Sequence, residues 1–183
     1  MRIIGGKFKG RRFTPPAKNW PTRPTTDFSK EGLYNILQNI INFDEVTFLD
    51  LFGGTGNHCY EFISRGCTDA TYVDRHGPCV AFAKSMQETL DIKDELTVVR
   101  KDVFKYIAQA TRSFDIIFAG PPYPLRNIPE IPSLIFEAGL LNQDGILIVE
   151  HNPNVDMSGH PNFSQLRKYS GTLFSFFKNS LSV

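Results

Sequence analysis

Phe48-Leu49-Asp50-Leu51-Phe52-Gly53-Gly54-Thr55-Gly56 closes an apolar run that begins at Val46, is broken by one carboxylate and ends on three glycines in four positions. That pattern predicts a buried strand feeding a tight turn into a helix. Glycine suits the turn because a Cβ would obstruct positive φ and keep a ligand away from the backbone. The helix is expected over residues 57–65 with Gly66 as its stop. Its N-terminal N–H groups and positive dipole end then face whatever sits over the loop. The stretch reads as a nucleotide-cofactor loop.

Beyond the loop, apolar runs alternate with amphipathic stretches, as a parallel sheet with crossover helices requires. Ala70-Thr71-Tyr72-Val73 ends at Asp74, and Leu96-Thr97-Val98-Val99 runs to Lys101-Asp102. Phe114-Asp115-Ile116-Ile117-Phe118 runs into Ala119-Gly120-Pro121-Pro122-Tyr123, and a fifth run is Gly145-Ile146-Leu147-Ile148-Val149-Glu150. Polar groups thus recur at strand C-termini, the edge where open α/β sheets bind ligands. The tail differs: Gln165 to Tyr169 and Thr172 to Phe177 flank Ser170-Gly171, which predicts a terminal hairpin pairing antiparallel at the sheet edge.

Upstream, Thr26 or Asp27 caps a helix whose apolar positions Leu33, Ile36, Leu37, Ile40 and Ile41 recur at three- and four-residue steps. Thr14 to Pro24 is proline-rich, holds the single tryptophan, Trp20, and reads as an extended linker. The cap follows Arg23-Pro24-Thr25 directly, which brings a polar cluster toward the cofactor mouth. Met1 to Pro16 alternates bulky and basic residues around glycines, as a small β-hairpin or ribbon does. Residues 1–24 are therefore taken as a basic arm and linker, and 25–183 as the main domain.

Net charge is +1, yet residues 1–30 carry eight Lys or Arg against one acid, and the remainder carries twelve bases against eighteen acids. Such asymmetry points to a polyanion partner. Lys7, Lys9, Arg11 and Arg12 suit sequence-independent attraction to phosphates. Phe8 or Phe13 could stack on an unpaired base, or anchor the arm on the domain. With 183 residues and 41% hydrophobic content, one domain with a full core is expected. There is neither an eighteen-residue apolar run nor an apolar segment behind the basic N-terminus, so no membrane span or signal peptide is expected, and a cytoplasmic location follows. Cys59, Cys67 and Cys79 lack zinc-site spacing and read as small buried residues, Cys59 being the one placed for a lowered thiol pKa by a helix N-terminus. His58, His76, His151 and His160 show no ligand spacing, so no metal is expected.

Asp74, some twenty residues past the loop, is placed to accept from ribose hydroxyls. Asp102 is placed to meet an adenine amine or to cap the next helix, and Asp50 lies beneath the loop. A dinucleotide fingerprint is incomplete: Gly54 and Gly56 are followed by Cys59 where close helix packing calls for Gly or Ala, which disfavours a nicotinamide-dependent oxidoreductase. No Lys-Ser or Lys-Thr follows, which excludes a P-loop. S-adenosyl-L-methionine, a nucleoside with an amino-acid tail and no phosphate, fits better. In Gly120-Pro121-Pro122-Tyr123 the prolines fix carbonyls toward the site and the aromatic face suits a base removed from its helix. Carbonyl acceptors that hold both N–H bonds of an exocyclic amine aim its nitrogen at a methyl donor.

The chain resembles the RsmD-type family of small-subunit ribosomal RNA guanine-N2 methyltransferases over nearly all its length. The likeness rests on Arg2-Ile3-Ile4-Gly5-Gly6 with Lys9-Gly10-Arg11, Arg23-Pro24-Thr25-Thr26-Asp27, Glu31 with Leu33 to Leu37, Asp50 to Gly56, Glu61, Ser64-Arg65-Gly66 and Pro121-Pro122-Tyr123. It implies a class I S-adenosylmethionine-dependent methyltransferase: a Rossmann-like seven-stranded sheet, last strands antiparallel, with a small N-terminal β-hairpin arm that grips RNA. It implies S-adenosyl-L-methionine as cofactor, with Gly53, Gly54 and Gly56 facing the methionine part, Asp74 the ribose and Asp102 the adenine. Pro121, Pro122 and Tyr123 would hold one guanine of small-subunit ribosomal RNA, free or in the assembled subunit, with the protein expected as a monomer. Gly120 departs from the family's Asp or Asn, which removes a side-chain acceptor. Impaired catalysis, or an RNA-binding protein that keeps the fold without turnover, is the corresponding expectation.

Overall fold

The computed structural model describes residues 1–15 and 25–179. Arg23, expected with the arm cations to bind RNA, and most of the expected linker, Trp20 included, lie outside the described residues. The chain runs α1 (Asp27–Leu37), β1 (Thr47–Leu51), α2 (Asn57–Ser64), β2 (Asp69–Asp74), α3 (Gly77–Leu90), β3 (Leu96–Arg100) and α4 (Val103–Gln109). It continues through β4 (Phe114–Ala119), α5 (Ile131–Glu137), β5 (Leu141–His151), β6 (Phe163–Tyr169) and β7 (Thr172–Lys178). The strands form one seven-stranded sheet in the order β3-β2-β1-β4-β5-β7-β6. Pairing is parallel from β3 through β5, and β7 is antiparallel to both β5 and β6.

The three-layer core follows from the period-two alternation of strands buried on both faces. Phe48, Ile116, Phe118, Ile146 and Ile148 pack toward α1, α2 and α3. Their neighbours Leu49, Ile117, Ala119, Leu147 and Val149 pack toward α4 and α5. The terminal hairpin forms as the sequence indicates, with Ser170 at φ 56° in its turn. Among the described residues no helix is long and apolar enough to cross a membrane.

α1 differs from its expected apolar face. It stops at Leu37, so Ile40 falls in the following turn and is 47% exposed. The buried face is Leu33, Tyr34 and Leu37 with Lys30, which the charge count had grouped with the basic segment. Thr26 is the cap, its hydroxyl accepting from the Ser29 N–H at 3.1 Å.

The N-terminal arm folds back on itself with a single antiparallel bridge, Arg2 opposite Arg12, around a 3-10 turn at Gly6–Phe8. Backbone hydrogen bonds flank the bridge, Met1 with Phe13 and Ile3 N–H to the Arg11 carbonyl, while α2 takes N–H groups at the turn. Glu61 accepts from the N–H groups of Ile4 (2.9 Å) and Gly5 (2.8 Å), and Ser64 Oγ accepts from Phe8 (2.9 Å). Gly6 sits at φ +72°, and a Cβ there would fall 1.7 Å from the Ser64 carbonyl oxygen. Only glycine fits this contact.

Candidate active site

The strand order reverses between β1 and β4, and the C-terminal ends of β1 to β5 open there into a cavity of about 690 Å³. That volume is within the range of small-molecule sites. The glycine loop forms one wall. Gly54 and Gly56 take φ 53° and 74°, and Gly56 ends the turn as the N-cap of α2. A Cβ on Gly53 would meet the Tyr72 ring at 2.4 Å, and one on Gly56 the Tyr60 hydroxyl at 2.3 Å. Gly53 and Gly54 line the cavity, whereas Gly56 shapes the turn from behind.

Asp74 ties this loop to the next turn, accepting from Gly54 N–H at 2.9 Å and from His76 N–H at 2.8 Å. Asp102 caps α4, its Oδ1 accepting from Phe104 (3.1 Å) and Lys105 (3.2 Å) N–H groups, while also lining the cavity. Asp50 lies beneath the loop, 2% exposed. Burial pushes its carboxyl up to about 8, against which the Cys59 thiol donates at 3.5 Å. The Cys59 thiol is itself pushed well up, by burial first and then by Asp50. The helix N-terminus therefore does not activate this cysteine, because desolvation of a thiolate outweighs the dipole.

The opposite wall is Gly120-Pro121-Pro122-Tyr123, with Gly120 N–H bound to the Leu51 carbonyl at 3.2 Å. Behind it runs a chain of hydrogen bonds that sequence reading missed. The Tyr34 hydroxyl is 3.2 Å from His58 Nδ1, and His58 Nε2 is 3.2 Å from Thr25 Oγ. The Thr25 hydroxyl donates to Glu150 Oε2, and the Tyr123 hydroxyl donates to Glu150 Oε1 at 3.3 Å. Since Thr25 gives its proton to Glu150, it accepts from His58, which assigns the imidazole proton to Nε2. His58 is held neutral, its pKa pushed down to about 3 by burial and then by Lys30. Its ring stacks on Phe118 at 3.8 Å.

Asn57, at the head of α2, was also missed. Its Oδ1 accepts from Lys30 Nζ at 2.8 Å, and its buried Nδ2 has no hydrogen-bond partner among the described residues. It too lines the cavity.

The arm cations Lys7, Lys9, Arg11 and Arg12 are exposed and do not line the cavity. Lys7 lies 3.6 Å from Glu95. Phe8 is covered by Lys7 and Arg11, 4.9 and 5.0 Å from its ring centre, and Phe13 packs edge-on against Tyr60. Both aromatics anchor the arm on the domain.

A β3-β2-β1-β4-β5-β7-β6 sheet with one antiparallel strand inserted beside β5, and a glycine turn after β1, defines the class I S-adenosylmethionine-dependent methyltransferase fold. The chain belongs to the family described as Conserved hypothetical protein 95, the RsmD-type family, whose model matches residues 1–178. The Bacillus subtilis protein YlbH is 34% identical over 160 residues, 86% of this chain and 85% of that one. Ribosomal RNA small subunit methyltransferase D of Haemophilus influenzae is 26% identical over 179 residues, 96% and 91% of the two chains. Among solved structures, Escherichia coli yhhF superposes with a TM-score of 0.84 at 24% identity, over 100% of this chain and 99% of that one. An RNA methyltransferase from Salinibacter ruber in complex with S-adenosyl-L-homocysteine gives 0.64 at 13% identity, over 88% and 96%. These two superpositions bear on the fold.

Proposed function

We propose that this protein transfers a methyl group from S-adenosyl-L-methionine to the exocyclic N2 amine of a guanine in small-subunit ribosomal RNA. The observation that carries the reading is the meeting of the glycine loop, Asp74 and Asp102 with Gly120-Pro121-Pro122-Tyr123 in one cavity at the switch point. The curated relatives named as small-subunit methyltransferases support RNA as the substrate. The guanine amine is what the resemblance to RsmD-type enzymes implies.

The wall fits the cofactor chemically. Asn57 Nδ2 is a buried donor at a helix N-terminus, suited to the methionyl carboxylate. Asp74 suits the ribose hydroxyls and Asp102 the adenine amine, while the Gly53-Gly54 backbone admits close approach. Bound there, S-adenosyl-L-methionine supplies a methyl group on a positively charged sulfur. The protein's part is placement. The carbonyls of Gly120 and Pro121 accept from the amine, which orients its lone pair and offsets the positive charge that develops on nitrogen. Tyr123 offers a face to the extruded base. The protein acts as a cytoplasmic monomer on the RNA or the assembled small subunit, the exposed arm cations attracting its phosphates.

Gly120 favours a second reading, a cofactor- and RNA-binding protein without turnover. The two separate in one experiment: transfer of labelled methyl to small subunits that lack the modification. Label mapped to a guanine amine establishes the enzyme. Binding of S-adenosyl-L-homocysteine and subunits without label establishes the alternative.

A further inference from the structure

Lys30 is a cation with no exposed surface, and a lysine ammonium has three N–H groups to place. The fold supplies an acceptor for each, on different parts of the molecule. One is the Arg2 carbonyl in the arm, one is Asn57 Oδ1 at 2.8 Å, and one is Glu61 Oε2 at 3.1 Å. Glu61 in turn accepts from the Ile4 and Gly5 N–H groups. The seated arm and the head of α2 therefore share one ammonium group.

That sharing fixes the Asn57 amide. Lysine offers donors only, so the amide oxygen must face it and the NH2 group is left for another partner. Asn57 is 5% exposed and lines the main cavity with Gly53 and Gly54. Its Nδ2 is buried and has no partner among the described residues. A buried donor left unpaired costs stability until an acceptor reaches it. An anionic acceptor suits this one best, because it stands at the N-terminal end of α2.

We propose that Lys30 is a positioning residue for the cofactor: it orients the Asn57 amide toward the methionyl carboxylate, and its bond to Arg2 makes that grip depend on the seated arm. This rests on the function proposed above and adds a coupling between its cofactor site and its RNA-binding arm. Freeing the arm removes the Arg2 carbonyl from Lys30 and two N–H groups from Glu61, so the ammonium no longer holds the amide in one orientation. The coupling is reciprocal: a carboxylate on Asn57 holds the arm down as strongly as the arm holds the carboxylate. The nucleoside end of the cofactor, assigned to Asp74 and Asp102, takes no part.

The test compares two ligands on the full chain by calorimetry: S-adenosyl-L-homocysteine, and 5′-methylthioadenosine, which keeps the nucleoside and the sulfur but lacks the amino-acid end. Asn57→Asp keeps an acceptor for Lys30 and exchanges the donor for a second oxygen. It is expected to weaken S-adenosyl-L-homocysteine about tenfold or more and to leave 5′-methylthioadenosine within about twofold. Gly6→Ala unseats the turn of the arm, and Gly6 does not line the cavity. This variant is expected to weaken S-adenosyl-L-homocysteine about fivefold or more, again with little change for the shorter ligand. In wild type, with each ligand at the same multiple of its Kd, S-adenosyl-L-homocysteine should slow hydrogen exchange at the Ile4 and Gly5 N–H groups by a similar factor, and 5′-methylthioadenosine should not. A merely structural role would move both ligands alike. Equal losses for the two ligands, an unchanged S-adenosyl-L-homocysteine affinity in either variant, or equal protection of the arm overturns the proposal while leaving the cofactor reading intact. Failure of wild type to bind S-adenosyl-L-homocysteine overturns both. Should Gly6→Ala not fold, Asn57→Asp and the wild-type exchange comparison decide.

Discussion

Lys30 Nζ lies 3.1 Å from Glu61 Oε2, and neither side chain is exposed to solvent. Glu61 also accepts from Arg65 Nε at 2.9 Å and from the N–H groups of Ile4 and Gly5, while Lys30 donates to the Arg2 carbonyl and to Asn57. One buried ion pair thus joins the arm, α1, α2 and the head of the cofactor loop. Desolvation of both charges is offset by this full set of partners, so removing one of them strands the other. Glu61→Gln is expected to cost about 3–5 kcal/mol in urea unfolding and to free residues 1–15 for proteolysis. A loss below 1 kcal/mol with the arm still protected would show that the pair is dispensable.

Two buried groups at the site give opposite pH dependences. Asp50 keeps its proton in the folded state to about pH 8 but releases it near 3.8 when unfolded. Between those values the folded state binds more protons, so this group's contribution makes stability fall as pH rises, by at most about 1.4 kcal/mol per unit. His58 resists protonation to about pH 3 when folded and takes a proton near 6.5 when unfolded. Its contribution is full above 6.5 and is lost as pH falls toward 3. Asp50→Asn is expected to gain on wild type steadily from pH 4 to 8, measured by urea unfolding at several pH values. A flat difference would mean that Asp50 is ionised in the folded protein.

How much of this was legible in the sequence depends on the distance over which the signal acts. The sheet, the glycine turn and the terminal hairpin are written in local alternation and turn residues, and all three appear where they were expected. Asp74 and Asp102 sit at strand ends, and a strand end is visible in sequence. Glu150 was equally visible as a strand terminus but carried no signal of its place in the hydrogen-bond chain, because the hydroxyls that bind it lie at positions 25 and 123. They meet only through the β4–β5 register and the docking of α1. His58 read as a histidine without metal-ligand spacing, yet its part is to pass a hydrogen bond. Lys30 read as arm charge for a similar reason, since its burial depends on Glu61, which lies 31 positions away.

Position 120 separates the sequence reading from the structural one. Taken alone, Gly120 is a missing acceptor, and restoring an acid there should gain on the order of a hundredfold in kcat. Glu150 lines the same cavity, so a carboxylate is already close to the site. A Cβ at this position would also lie 3.1 Å from Phe118 Cε1, in the ring that stacks on His58. Gly120→Asp is therefore expected to leave kcat little changed or lower, because it adds a second negative charge and displaces Phe118. A gain near a hundredfold would mean that the added carboxylate supplies the acceptor that Gly120 lacks.

The arm is rigidly seated, and this decides what its charges can do. Gly6 against Ser64, Glu61 beneath Ile4 and Gly5, and Phe8 and Phe13 on the domain fix where Lys9, Arg11 and Arg12 present their charge. Fixed cations release counterions together when RNA binds, so affinity should fall steeply with salt, with a slope of roughly 0.7–0.9 per phosphate neutralised. Lys7 is expected to contribute least, since Glu95 already lies beside it. Neutralising Lys9, Arg11 and Arg12 together should flatten the salt dependence of subunit binding by about two to three units of slope. Gly6→Ala, which leaves every charge in place but cannot seat the turn, should weaken binding as well. If only the charge variant weakens binding, the arm works as an unstructured polycation; if both do, its docking on α2 is part of how RNA is held.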